Sequence, residues 1–111
     1  MAAAADLRRL ALDLPGTEEY PHFDRRAFKA RVTYVTLAAD GLTANFKFSP
    51  GDQELKCTVA REVFAPVSGG WGRMGWTTAV LAKLSLAELE AALKLAWAAA
   101  VAKPSKPRKR N

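Results

Sequence analysis

Residues 25–48, Arg25-Arg26-Ala27-Phe28-Lys29-Ala30-Arg31-Val32-Thr33-Tyr34-Val35-Thr36-Leu37-Ala38-Ala39-Asp40-Gly41-Leu42-Thr43-Ala44-Asn45-Phe46-Lys47-Phe48, decide the fold class. Helical periodicity is absent here, and β-branched and aromatic residues alternate with polar ones. Asp40-Gly41 marks a tight turn, because glycine tolerates the positive φ that a short hairpin needs. Strands are therefore expected near 33–39 and 42–48, with Phe46 and Phe48 on one face and Asn45 and Lys47 on the other. An earlier strand over 26–31 would turn Phe28 and Ala30 inward and Lys29 and Arg31 outward. The register of its hairpin through Arg31-Val32-Thr33 is left open by the pattern.

Helices flank this β region. Leu7, Leu10, Ala11 and Leu14 keep an i, i+3, i+4, i+7 spacing, and Pro15-Gly16 ends the helix that residues 2–14 predict. Residues 17–24 read as a polar loop. Ser49-Pro50 with Asp52 is an N-cap followed by proline at the first helical position, and Leu55, Val59 and Val63 keep a four-residue spacing, so a short helix to about residue 60 is expected. Phe64–Ser68 and Trp76–Leu81 are short strands separated by a glycine-rich loop. Ser85-Leu86-Ala87-Glu88 is a capping box opening a last helix to about Ala102, with Leu86, Leu89, Leu93 and Trp97 as its apolar stripe. The order α-β-β-β-α-β-β-α implies one α+β domain over residues 1–102, an antiparallel sheet with helices packed on it.

The chain has 111 residues, 17 Lys+Arg against 11 Asp+Glu, and a formal net charge of +6. Lys103, Lys106, Arg108, Lys109 and Arg110 supply five of those cations, leaving 12 against 11 for residues 1–102. The basic balance is thus largely a property of residues 103–111, a stretch with two prolines that is expected to be disordered. One cysteine excludes an internal disulfide, and one histidine beside it cannot supply the four ligands of a structural zinc site, so no metal or cofactor is expected. The apolar stretches are too short or too interrupted to span a bilayer, and cytoplasm is the expected compartment.

Catalytic constellations are missing as well. Gly70-Trp71-Gly72-Arg73-Met74-Gly75 satisfies G-x-G-x-x-G, but a dinucleotide site needs a helix to open at once, and Trp76-Thr77-Thr78-Ala79-Val80 is strand-like instead. These glycines are better explained as a turn that lets Trp71 and Trp76 pack. His22 and Cys57 are the only members available for a Cys/His pair, and each has a structural explanation as a loop bond and a core filler. No enzyme is expected. Cations, by contrast, cluster: Arg25, Arg26, Lys29 and Arg31 fall within seven residues with no acid among them. On a strand and hairpin they could meet phosphates, or they could be a solvated edge that discourages aggregation.

Three stretches together resemble a known family. Leu14-Pro15-Gly16-Thr17-Glu18-Glu19, Pro21-His22-Phe23 and Ala27-Phe28-Lys29, followed by Phe64-Ala65-Pro66-Val67 and Trp71-Gly72-Arg73-Met74-Gly75-Trp76-Thr77, are similar to the MmcQ/YjbR family of small bacterial proteins over about residues 5–102. Asp24 and Arg26 stand where that family commonly has Gly and Pro. The resemblance implies a secretion-chaperone-like α+β fold and DNA binding through a double-wing motif, with no binding residues to transfer. The expectation is therefore non-catalytic binding of DNA, duplex with low sequence specificity, through basic β-hairpin wings. Arg25, Arg26, Lys29 and Arg31 would hold phosphates, Lys47 would support them, and Arg73 would reach a groove or backbone. The rival expectation is a protein- or peptide-binding adaptor whose sheet edge accepts a partner strand.

Overall fold

The computed structural model describes residues 1–102, so the expected basic tail lies outside the described residues. Helix α1 (Ala4–Leu12) leads into strands β1 (Glu18–His22), β2 (Arg25–Lys29), β3 (Thr33–Leu37) and β4 (Thr43–Lys47). Helix α2 (Pro50–Val59), strand β5 (Phe64–Pro66), a single helical turn α3 (Gly70–Arg73), strand β6 (Trp76–Val80) and helix α4 (Leu86–Val101) follow. All six strands form one antiparallel sheet in the order β1-β2-β3-β4-β6-β5. The α+β class stands, and among the described residues no parallel pair exists that could carry a dinucleotide fold.

Alternation along the strands divides the sheet into two unlike faces. Phe28, Val35, Phe46 and Thr77 align across β2, β3, β4 and β6, and Leu37, Ala44, Ala79 and Phe64 form the next row; all eight are buried. Against this face lie α1, through Leu7 and Ala11, and α4, through Leu89, Ala92, Leu93, Ala96 and Ala100. Each fully buried Leu or Phe here contributes about 1.5–3 kcal/mol relative to exposure. The stripe of α4 differs from expectation. Leu86 sits exposed in the first turn, and the buried line runs through three alanines, which let helix and sheet approach closely. Trp97 is half-buried at the margin, its indole N–H donating to Pro15 O at 2.9 Å.

Both expected N-caps form. Asp52 N donates to Ser49 Oγ at 3.2 Å, and Ser85 and Glu88 close a reciprocal capping box. Helix α2 ends at Val59, close to the expected end; Val63 is buried beyond it, whereas Leu55 and Val59 are 62% and 74% exposed. Helix α2 packs instead on β5 through its other side, with the Lys56 ammonium 5.2 Å from the Phe64 ring centre.

Residues 17–24 are not simply a polar loop. Glu18–His22 pairs along β2 and turns back through Phe23-Asp24, with Phe23 at φ +59°. Glu-Glu-Tyr-Pro-His has little strand propensity, and a left-handed Phe replaces the usual Asn or Gly of such a turn. Tertiary pairing overrides both.

Candidate functional site

Among the described residues neither α1 nor α4 covers the second face of the sheet, and the single turn α3 borders it through Trp71. Register places Tyr20 and His22 of β1, Arg25, Ala27 and Lys29 of β2, Thr36 of β3, Asn45 and Lys47 of β4, and Trp76 and Thr78 of β6 on this side. Near its middle is a cavity of about 200 Å³ bordered by His22, Arg25, Asn45, Trp71 and Trp76. No carboxylate lines it among the described residues.

Arg25 is anchored rather than free-swinging. Its Nε donates to Thr36 Oγ1 at 2.9 Å and its Nη2 to Thr36 O at 3.3 Å, across the β2–β3 pair. These bonds leave further guanidinium N–H groups unused on a residue that lines the cavity, and involve no negative charge. Thr78 Oγ1 donates to Asn45 Oδ1 at 2.7 Å, which fixes the amide and leaves its nitrogen without a hydrogen-bond partner among the described residues. Tyr20 and Thr33 join hydroxyls, and Lys29 Nζ lies 5.3 Å from the Tyr20 ring centre. Glu18 stands opposite Lys29 in register and forms no ion pair with it.

The Trp71 side of the cavity is built by close backbone packing. A Cβ on Gly72 would sit 1.8 Å from Val67 O, and one on Gly75, where φ is +108°, would sit 1.9 Å from Phe48 O. The glycine-rich segment is therefore structural, and it forms the short helix α3 in place of an irregular loop. Its Met74 and Gly75 close the turn onto β6. Gln53 Nε2 ties α2 to this turn through Gly72 O at 2.8 Å and Trp76 O at 3.1 Å. Trp71 remains 63% exposed at the cavity rim.

The six cations singled out from sequence do not converge. Arg25, Lys29 and Lys47 share the open face. Arg26 points to the other side, where its Nε meets Glu19 Oε2 at 2.7 Å while Arg8 Nε of α1 meets Oε1 at 2.6 Å. Burial pushes the Glu19 carboxyl up, but hydrogen bonds and charge from both guanidiniums outweigh it and leave it below its ordinary value. Arg31 leaves the strand, since β2 ends at Lys29 after a bulge, and donates to Ala100 O at 3.0 Å near the C-terminus of α4. There it complements the helix dipole. Arg26 and Arg31 are thus structural fasteners. Arg73 is exposed on α3, its guanidinium beside Gly70, and pairs with no acid among the described residues.

Asn45, Thr36 and Tyr20 also contribute, and the sequence carries no sign of it, because neutral residues at strand spacing give no signal until strand order aligns them. His22 and Cys57 form no pair. His22 borders the open-face cavity, whereas Cys57 packs against the core on the helical side and burial raises its thiol pKa. Among the described residues there is no cluster of three His, Cys, Asp or Glu side chains able to hold a metal, and no helix is long and apolar enough to cross a membrane.

No family model matches the chain, and no curated protein matches its sequence. A solved structure shares its fold: protein DR2400 of Deinococcus radiodurans, with the family-model domain DUF419. The two superpose with a TM-score of 0.73 at 21% identity, covering 87% of this chain and 77% of that one. The likeness is one of fold, the small α+β architecture with an antiparallel sheet.

Proposed function

We propose that this protein binds nucleic acid without catalysis, across the open face of its sheet. The observation that carries the reading is the grouping of Arg25, Lys29 and Lys47, none in an ion pair among the described residues, beside Tyr20, His22, Trp71 and Trp76 on a face whose cavity has no carboxylate. Cations supply phosphate contacts and aromatic rings supply base contacts, the pairing of chemistries that nucleic-acid platforms use. The β1–β2 hairpin acts as a wing: its tip residue Phe23 is 94% exposed and lies next to His22, ring centres 4.8 Å apart. Arg73 extends the basic surface beside Trp71.

The adaptor alternative has weaker support, because both outer strands resist an added strand. β1 carries Pro21, and β5 has three residues ending in Pro66. Proline removes a ladder donor and is a common edge protection.

The test is full-length protein carrying Arg25→Ala, Lys29→Ala and Lys47→Ala, against wild type, in DNA titrations at several salt concentrations. The log–log salt slope should fall by about 0.9 for each duplex phosphate that the variant no longer neutralises. An unchanged slope and affinity would move binding to residues 103–111 and refute the open face as the site.

A further inference from the structure

We infer that the open-face cavity receives one unpaired base of a nucleic-acid single strand, so that this surface prefers single strands to duplex. The inference rests on the nucleic-acid reading and goes further by naming the form of ligand. A duplex offers a platform its backbone and groove edges, while its bases stay stacked; only an unpaired base can present a ring face to a side chain. The cavity here is suited to a ring. Two indoles border it, Trp71 from α3 and Trp76 from β6, around an open volume of about 200 Å³.

Several polar groups around it keep donors unused. Arg25 retains guanidinium donors after its two bonds to Thr36, the Asn45 amide nitrogen has no partner, and neither the Trp71 nor the Trp76 indole N–H makes a hydrogen bond within the described residues. A donor-rich, acid-free cavity suits a ligand rich in acceptors. The keto oxygens of thymine or uracil would meet Asn45, and the adjoining phosphate would meet Arg25. Arg25 is pre-positioned, because Thr36 holds its guanidinium before any ligand arrives. Lys29 and Lys47, on flanking strands of the same face, lie where neighbouring phosphates of one strand would pass. A chain crossing the sheet from β2 to β6 meets Lys29, then Lys47, then Trp76.

The experiment uses full-length protein and three probes: a short oligothymidylate (about ten nucleotides), a duplex of equal length, and thymidine monophosphate. Binding is followed by tryptophan fluorescence and by fluorescence anisotropy of labelled DNA. The single strand should bind more tightly than the duplex and quench tryptophan emission. Trp71→Ala should weaken oligothymidylate binding about tenfold, in the range of one base–aromatic stack, weaken duplex binding by less, and be rescued by Trp71→Phe. Trp71 is exposed, so the variant should melt as wild type does, and a melting curve checks this. Equal affinity for both DNA forms, with no effect of Trp71→Ala, would overturn the pocket while leaving phosphate binding by the open face intact. Thymidine monophosphate binding as tightly as the oligonucleotide would also overturn it, in favour of a free-nucleotide site. Failure of all three probes to bind at low salt would remove the nucleic-acid reading itself.

Discussion

Gly75→Ala should be among the most damaging single-methyl additions possible in this protein. The glycine has φ +108°, and an added Cβ would lie 1.9 Å from Phe48 O. Ordinary contact begins near 3.4 Å, so the two backbones must part by about 1.5 Å. That movement breaks the Phe48 N–H to Gly75 O hydrogen bond of 3.1 Å. It also lifts Phe48 from its stack on Phe46, whose ring centre is 5.6 Å away in the core. Positive φ costs roughly 1–3 kcal/mol, overpacking typically another 1–3, and a backbone hydrogen bond about 1. A loss of at least about 3 kcal/mol follows, equivalent to a fall in Tm of roughly 12–24 °C for a domain near this size. Two further glycines separate the causes. Gly16 has φ +75° with nothing within 4 Å of the added Cβ, so Gly16→Ala should cost only the conformational part, about 1 kcal/mol. Gly51 lies in α2 with open space around it, so Gly51→Ala should be neutral or raise Tm slightly. The assay is thermal unfolding by circular dichroism. If Gly75→Ala melted no lower than Gly16→Ala, the turn between Trp71 and Trp76 would not be packed against β4.

Other expectations follow from the same geometry. Glu19→Gln should destabilise the protein at neutral pH without changing DNA affinity, as measured by urea unfolding and anisotropy. Because the Glu19 pKa is lowered on folding, its stabilisation is present above the ordinary value of 4.5 and is lost as pH falls through the depressed folded value, so the difference between variant and wild type should shrink in acid. Leu55→Gln and Val59→Gln, at exposed positions, should change stability by no more than about 0.5 kcal/mol; a loss of about 2 kcal/mol or more would show that these side chains are packed. Cys57, its thiol pKa raised by burial, should react with a maleimide at neutral pH more slowly than a free cysteine, and unfolding in urea should abolish the difference. Truncation after Ala102 should reduce the salt slope of DNA binding without abolishing affinity.

Local signals in the sequence were sufficient for most elements. Asp40-Gly41 specified the β3–β4 hairpin, because a backbone with φ +74° at Gly41 admits few other residues. Ser49-Pro50 and Ser85–Glu88 specified two helix starts, because caps bond to amides within three residues. The glycines of residues 70–75 were legible as structural, although the atoms they accommodate, Val67 O and Phe48 O, are named only by the fold. Strand β1 was illegible: its Pro21 and charged start carry no strand preference, and only pairing with β2 makes it one. The division of the cations also escaped the sequence. Arg25 and Arg26 are neighbours in the chain, yet strand alternation sends one to the open face and the other to Glu19, while the early end of β2 delivers Arg31 to the end of α4. Charge density is additive along a sequence, but the face on which each charge emerges depends on register and strand order. Those are set by long-range pairing, which joins Arg25 to Thr36 and Asn45 to Thr78 across many residues of chain.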